Sequence, residues 1–220
     1  MNTPKKDDFK LAIQARIGAG EFNLTVDQVE NASKFAEILH RENENQNLTR
    51  ILGVEEFIDG HLLDVVKLFE MNLLSSRVLD LGSGCGVPGL LAAAIDLDTN
   101  RKWILCDSEK QKCEFLSSAA NEMNLKQVSV YSGRVESFIQ EIKPTTIISR
   151  AVGTVDKISA WVSNCSTWNN LILFKSKGWQ EEWANAQRSK NGKKLTVSQT
   201  KEYSAKEKYR ILVNLEKNNK

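Results

Sequence analysis

Residues 78–89, VLDLGSGCGVPG, constrain this chain more than any other stretch. Three apolar positions, Val78, Leu79 and Leu81, bracket Asp80, and Gly82, Gly84 and Gly86 follow at alternate positions. A buried strand therefore runs into a loop without Cβ atoms at every second residue, where a ligand can touch backbone. Pro88 suits a first helical turn, because its ring fixes φ and its missing N–H would have been unpaired there anyway. The segment from Gly89 to Asp96, GLLAAAID, then reads as helix. Strand, glycine loop and helix form the opening unit of a nucleotide-binding α/β domain.

Two cofactor classes use such a unit. Gly84, Gly86 and Gly89 spell G-x-G-x-x-G, the dinucleotide fingerprint, whose glycines admit a pyrophosphate at a helix N-terminus. Counted from Asp80, the string D-x-G-x-G-x-G resembles the first motif of the S-adenosylmethionine (SAM) dependent methyltransferases. SAM carries an ammonium, a carboxylate and a sulfonium but no pyrophosphate. An acid at the strand end can help to hold its amino-acid moiety, directly or through water, whereas it would repel a pyrophosphate. Asp107 follows a second apolar run, Trp103 to Cys106, and can accept from ribose hydroxyls in either class. The residues favour SAM and leave NAD(P) as the alternative.

At 220 residues, with 41% hydrophobic and 26% charged residues, the chain can bury the core of one medium α/β domain with a small attachment. The N-terminal residues contain no continuous apolar stretch, and no later segment approaches a membrane-spanning run, so a cytoplasmic protein without membrane association is expected. Cys85, Cys106, Cys113 and Cys165 form no C-x-x-C pair, and His40 and His61 are isolated; reduced thiols and no metal site are expected. A net charge of +2 is uninformative about nucleic acid, for which a basic footprint would have to be local.

Two textures divide the chain. Before residue 75 the pattern predicts three helices, Phe9 to Ile17, Val26 to Glu44 and Glu55 to Leu74, with a capping box of Thr25 and Gln28 opening the second. From Arg77 onward strands alternate with helices. The strands are Val78–Leu81, Trp103–Cys106, Val128–Ser132, Thr145–Ser149 and Leu171–Lys175, and Leu195–Thr200 and Tyr209–Leu215 form a final antiparallel pair. The predicted fold is Rossmann-like: a mostly parallel, doubly wound sheet with an antiparallel C-terminal strand pair. Residues 1–75 form a helical cap and 76–220 the cofactor-binding domain. The lysine-rich stretch Arg188 to Lys194 reads as a mobile loop.

Chemistry belongs just after each strand. There the chain has Gly133-Arg134-Val135-Glu136, Ser149-Arg150-Ala151 and Lys177-Gly178. Upstream lie Asn47-Leu48-Thr49 and His61-Leu62-Leu63-Asp64, and late in the chain comes Tyr209-Arg210-Ile211-Leu212-Val213. With the glycine loop and Leu105 to Ser108, these strings occur in the order and spacing of the bacterial glucose-inhibited division protein B family, the ribosomal RNA small subunit methyltransferase G family, which the chain resembles over about residues 22–216. The resemblance implies a SAM-dependent methyltransferase acting on N7 of one guanine in small-subunit ribosomal RNA, with S-adenosylhomocysteine as product. It implies that Gly82 and Val87 contact SAM, that Val135 and Glu136 border the adenine, and that Arg150 closes over the cofactor or the RNA. Arg134, Lys177 and Arg210 match basic positions that point to RNA binding or catalysis, and Asn47 joins the substrate side. The chain departs from the family at Cys85, often Pro, and at Val65, often Ser. It also has Phe174-Lys-Ser-Lys-Gly178 where A-L-K-G is common, so Lys175 competes with Lys177, which its glycine favours.

The missing residues agree. Guanine N7 is an unprotonated lone pair at neutral pH, so attack on a sulfonium methyl needs no general base; in-line positioning can carry the rate. Ser149-Arg150-Ala151-Val152 stands where amino-group methyltransferases place an Asn/Asp-Pro-Pro-aromatic loop, and Cys165 sits in no nucleophile motif. His61 reads as a packed residue, Asn47 equally as a helix end, and Trp161, Trp168, Trp179 and Trp183 as core or rim. The rival functions are an NAD(P)-dependent oxidoreductase, a methyltransferase for another substrate, and an RNA-binding module that keeps SAM without turnover. The acceptor that the resemblance implies is ribosomal RNA, free or in the assembled small subunit, and a monomer is expected.

Overall fold

The computed structural model describes residues 3–218. Two helices open the chain, α1 (Lys6–Gly18) and α2 (Val26–Gln46). The capping box is formed as expected: the Gln28 amide donates to Thr25 Oγ1 at 3.3 Å and the Thr25 amide to Gln28 Oε1 at 3.0 Å. Asn47, left-handed at φ 50°, ends α2. The third helical stretch is interrupted: α3 (Val54–Phe57) passes into a π-helical turn (Ile58–Leu62) and then α4 (Leu63–Phe69). It stops short of Leu74 because Asn72, at φ 56°, turns the chain away.

The remainder is a seven-stranded sheet in the order β3-β2-β1-β4-β5-β7-β6. The strands are β1 (Arg77–Leu81), β2 (Lys102–Asp107), β3 (Val128–Ser132), β4 (Thr146–Arg150), β5 (Asn170–Lys175), β6 (Leu195–Ala205) and β7 (Lys208–Lys217). The first five are parallel, and β7 runs antiparallel between β5 and β6. Connecting helices are α5 (Gly89–Ile95), α6 (Lys110–Glu122), α7 (Ile139–Ile142), α8 (Val155–Trp161) and α9 (Trp179–Ala186).

One face of the sheet packs α2, α5 and α6 into a core that runs without a break into α1 and the π-helical turn, through Phe9, Phe35, Phe57 and Leu90. The other face packs α7 and α8 through Ile139, Ile142, Val155 and Ile158, with Ala186 of α9 joining that cluster. Covering both faces explains why β1 and β4 are almost continuously buried. Trp103 at the start of β2 is fully buried, and its indole N–H donates to Asp96 Oδ2 at 2.8 Å. Arg188 to Lys194, expected as a loose loop, instead carries a 3₁₀ turn at Gly192–Lys194, with Gly192 buried against the Ala186 carbonyl and its own carbonyl accepting from Gln187. No helix among the described residues is long and apolar enough to cross a membrane. Neighbouring strands β1 and β4 carry their crossovers in opposite directions, so the sheet's switch point lies at their carboxyl ends, where Leu81 pairs with Ser149.

Candidate functional site

Two clefts open at this switch point. The first, about 590 Å³, is walled by the glycine loop after β1, by Asp107 after β2, by residues 133–136 after β3 and by Arg150 to Val152 after β4. The second, about 390 Å³, lies beside it and shares Arg150 and Ala151.

Each glycine in the loop has its own reason. At Gly82, φ +78°, a Cβ would stand 2.2 Å from the Val152 side chain, so this residue lets the loop after β4 close against the loop after β1. Gly84, φ +54°, has only the Gly82 carbonyl within 4 Å of a would-be Cβ, so a side chain there would project into the open cleft. Its amide donates to Asp107 Oδ2 at 2.8 Å. Gly86 serves packing: a Cβ would meet Leu90, Phe35 and Leu116 at 3.0 to 3.3 Å. Gly89 likewise lets α5 lie on β1, since a Cβ would fall 2.3 Å from Asp80 Oδ2.

Asp80, expected to help hold the cofactor directly or through water, does not line the cleft. Its side chain is fully buried beneath the loop, outside the cleft wall; Oδ2 accepts from the Gly89 amide at 2.9 Å and Oδ1 has no partner among the described residues. Burial pushes its pKa up to about 7. Asp80 thus tethers the loop to the first turn of α5, and Gly86 lies below the cleft with it. Gly82, Gly84, Val87, Asp107, Arg134, Val135, Glu136 and Arg150 do line the first cleft. Asp107 is 7% exposed, with Oδ1 accepting from the Glu109 amide at 2.9 Å, so both oxygens are oriented by backbone and each retains accepting capacity toward the cleft.

The substrate-side candidates divide. Arg134 is exposed at the rim of the first cleft, without an ion-pair partner among the described residues. Lys177 is exposed in the second cleft and also unpaired among them, whereas Lys175 is committed to Glu182 at 2.6 Å and to the Gly153 carbonyl at 3.0 Å. That contrast separates the two lysines. Asn47 lines neither cleft; it is the exposed helix end, and its neighbour Leu48 reaches the first cleft instead.

Arg150 and Arg210 meet on one buried carboxylate, Asp64, which the sequence reading placed in a family string but gave no role. Asp64, 3% exposed, accepts from Arg150 at 2.7 Å through Oδ2, and from Arg210 at 2.6 Å and the Tyr203 hydroxyl at 2.7 Å through Oδ1. The same arginines donate to carbonyls of the π-helical turn, Arg150 to Gly60 at 2.9 Å and Arg210 to Asp59 at 2.8 Å. The helical N-terminal region is thereby tied to the ends of β4 and β7. An acid inside the apolar run Leu62, Leu63, Val65, Val66 was the available signal, because a buried carboxylate needs cationic partners. Ala151, next to Arg150, is left-handed at φ 59°, a strained state for a residue with a Cβ, at the wall common to both clefts.

His61 is a packed residue. It is 2% exposed, edge-on to Phe57, with its pKa pushed down to about 3 by burial and then by Arg150. Cys165 is buried and lines neither cleft. Among the described residues no cluster of His, Cys, Asp or Glu has the makings of a metal site.

With this geometry in hand, comparison with known proteins is decisive. The family model described as GidB, rRNA small subunit methyltransferase G, matches residues 28–212. The chain belongs to the GidB family. Its relatives include the ribosomal RNA small subunit methyltransferase G of Rhodopirellula baltica, 34% identical over 184 residues, covering 81% of this chain and 75% of the relative. That of Actinobacillus succinogenes is 30% identical over 160 residues, covering 73% and 74%. Among solved structures, M. capricolum TrmK in complex with S-adenosylhomocysteine superposes with TM-score 0.55 at 13% identity, over 70% of this chain and 68% of that one. An O-methyltransferase from Bacillus cereus in complex with S-adenosylhomocysteine gives TM-score 0.54 at 14% identity, over 84% and 91%. These two establish the fold of this GidB family member as the Rossmann-like methyltransferase fold.

Proposed function

We propose that this chain transfers a methyl group from SAM to N7 of a guanine in small-subunit ribosomal RNA. The observation that carries the reading is the pair of adjoining clefts, one built on the glycine loop and Asp107, the other on cations, with Arg150 and Ala151 in both walls. The family's description supplies the substrate class.

The residues of the first cleft fit SAM. Its volume lies in the range of about 300–1,000 Å³ typical of small-molecule sites. The space over Gly84 is open to a ligand, and a pyrophosphate would find the Gly84 amide already taken by the Asp107 carboxylate, which disfavours NAD(P). Asp107 holds ribose hydroxyls, Val135 offers an apolar face to the adenine, and the exposed Glu136 accepts from its amino group. When bound, SAM supplies an electrophilic methyl on a cationic sulfur.

This chain's own residues then position the acceptor. Guanine N7 needs no proton removed, so a buried neutral His61 behind Arg150 fits the chemistry as scaffold rather than base. Arg150, held by Asp64 and Gly60, fixes the wall between cofactor and acceptor. Arg134 and Lys177, exposed and unpaired among the described residues, contact phosphates and set register on the RNA. Residues 1–75 act as a cap over 76–220, in a protein working as a monomer on RNA of the assembled small subunit. Parallel calorimetry with SAM and NAD tests the cofactor: micromolar SAM binding with no NAD heat supports the reading, and the reverse refutes it.

A further inference from the structure

We propose that the second cleft seats the acceptor base and that Glu182 reads its Watson–Crick edge, an inference that rests on the guanine-methylation reading above. The cleft contains two carboxylates, Asp64 and Glu182. Asp64 is spent on Arg150, Arg210 and Tyr203 and is 3% exposed. Glu182 differs. One of its oxygens accepts from Lys175 at 2.6 Å and from the Val155 amide at 2.5 Å, and its other oxygen has no partner among the described residues. The side chain keeps 24% exposure, and this carboxylate with one clamped and one free oxygen is part of the cleft wall.

The rest of the wall suits a nucleobase. Phe174 and Trp179, both half-buried, offer aromatic faces for stacking, and Lys177 is an exposed cation beside them. Enzymes that act on an extruded base read it through its Watson–Crick edge and by stacking. Among purines, guanine presents N1–H and N2–H donors on that edge, which a carboxylate oxygen accepts. Adenine presents the N1 lone pair there and is repelled. N7 lies on the opposite side of the purine, so an acid holding N1–H and N2–H leaves N7 free to face the shared wall at Arg150 and Ala151. The clamp from Lys175 and Val155 keeps the free oxygen from rotating away, which is what selective recognition requires.

Glu182 also ties α9 to the start of α8, so a loss of activity alone would not separate recognition from support. The test uses small subunits whose target position carries guanosine or, by splinted ligation of the rRNA, inosine, which lacks the N2 amine. The full-length wild type prefers guanosine by about 10-fold in kcat/KM, the loss of one charge-assisted hydrogen bond. Glu182→Ala lowers kcat/KM on guanosine by about 10- to 100-fold and abolishes the preference, with SAM affinity unchanged. Glu182→Gln, which keeps an oxygen for Val155 and Lys175, falls between the two. A Glu182→Ala variant that slows both substrates equally and keeps the preference overturns the assignment in favour of a supporting role. Loss of SAM affinity in proportion to activity overturns it as well. No transfer by the wild type to guanosine-bearing subunits overturns the functional reading and this inference with it.

Discussion

Asp64 offers the sharpest test of how the site is held together. Replacing it with Ala removes three hydrogen bonds, two of them ion pairs, and strands Arg150 and Arg210, whose side chains are each 22% exposed. Breaking a fully buried pair costs about 3–5 kcal/mol. The partial exposure of both arginines lets water recover some of that, and each keeps a carbonyl acceptor, Gly60 or Asp59, so about 3 kcal/mol is the reasoned cost. For a chain of this size, that corresponds to a fall in Tm of roughly 6–12 °C. Tyr203→Phe removes one neutral donor from the same carboxylate and should cost only about 1 kcal/mol. A double-mutant cycle between Asp64 and Arg150 should give a coupling of about 1–3 kcal/mol. Thermal and denaturant unfolding of the four variants, Asp64→Ala, Tyr203→Phe, Arg150→Ala and the Asp64/Arg150 double, with methyl transfer measured below their transitions, is the assay. Asp64→Ala with wild-type stability and wild-type transfer would refute the claim that this carboxylate ties the N-terminal helices to the sheet and fixes Arg150.

Three further outcomes are expected. Gly84→Asp places a carboxylate in the open cleft beside Asp107, at a φ that Asp tolerates, so calorimetry should register at least a ~100-fold loss of SAM affinity with the fold intact. Arg134→Ala should leave SAM affinity unchanged, weaken RNA methylation and reduce the log–log salt slope of RNA binding by about 1; an unchanged slope would remove Arg134 from the phosphate contacts. Asp80 has a folded pKa raised to about 7 from 3.8, so the folded state binds its proton more tightly and this group's contribution to stability is lost as pH rises between those values. Asp80→Asn keeps an acceptor for the Gly89 amide and abolishes that loss; its stability relative to wild type should climb from pH 4 to 7, by on the order of 4 kcal/mol at most, and level off above. A pH-independent difference would contradict the buried, unpaired placement of Oδ1.

Much of the fold was legible because local signals and tertiary demands coincide. The glycine loop, the apolar runs of β1 and β2, and the Thr25–Gln28 cap each carry one structural meaning, and the structure uses them so. The hairpin was read too short. Its turn uses Lys206 and Glu207 at φ 45° and 62° where Asn or Gly would announce a tight turn, so β6 runs on to Ala205 without a sequence marker. Helix α9 was hidden because Trp179 and Trp183 are partly buried on a short segment whose other positions are polar. The π-helical turn leaves no compositional trace, yet its carbonyls at Asp59 and Gly60 receive Arg210 and Arg150. Within the site, residue type showed which groups belong near a ligand but not their orientation. Asp80 and Asp107 both lie near the carboxyl ends of their strands; only the fold turns Asp80 inward to Gly89 and Asp107 toward the cleft. Partnerships spanning most of the chain, such as Asp64 with Arg150, Tyr203 and Arg210, follow from topology alone.

The central claim is methyl transfer from SAM to a guanine N7 of small-subunit rRNA, and one measurement addresses it whole. Small subunits from cells lacking the endogenous enzyme are incubated with this protein and SAM labelled in the methyl group, and the labelled nucleotide is mapped by nuclease digestion. The account predicts one labelled species, 7-methylguanosine at a single rRNA position. Label on another atom or base, or none from protein that binds SAM, would contradict it.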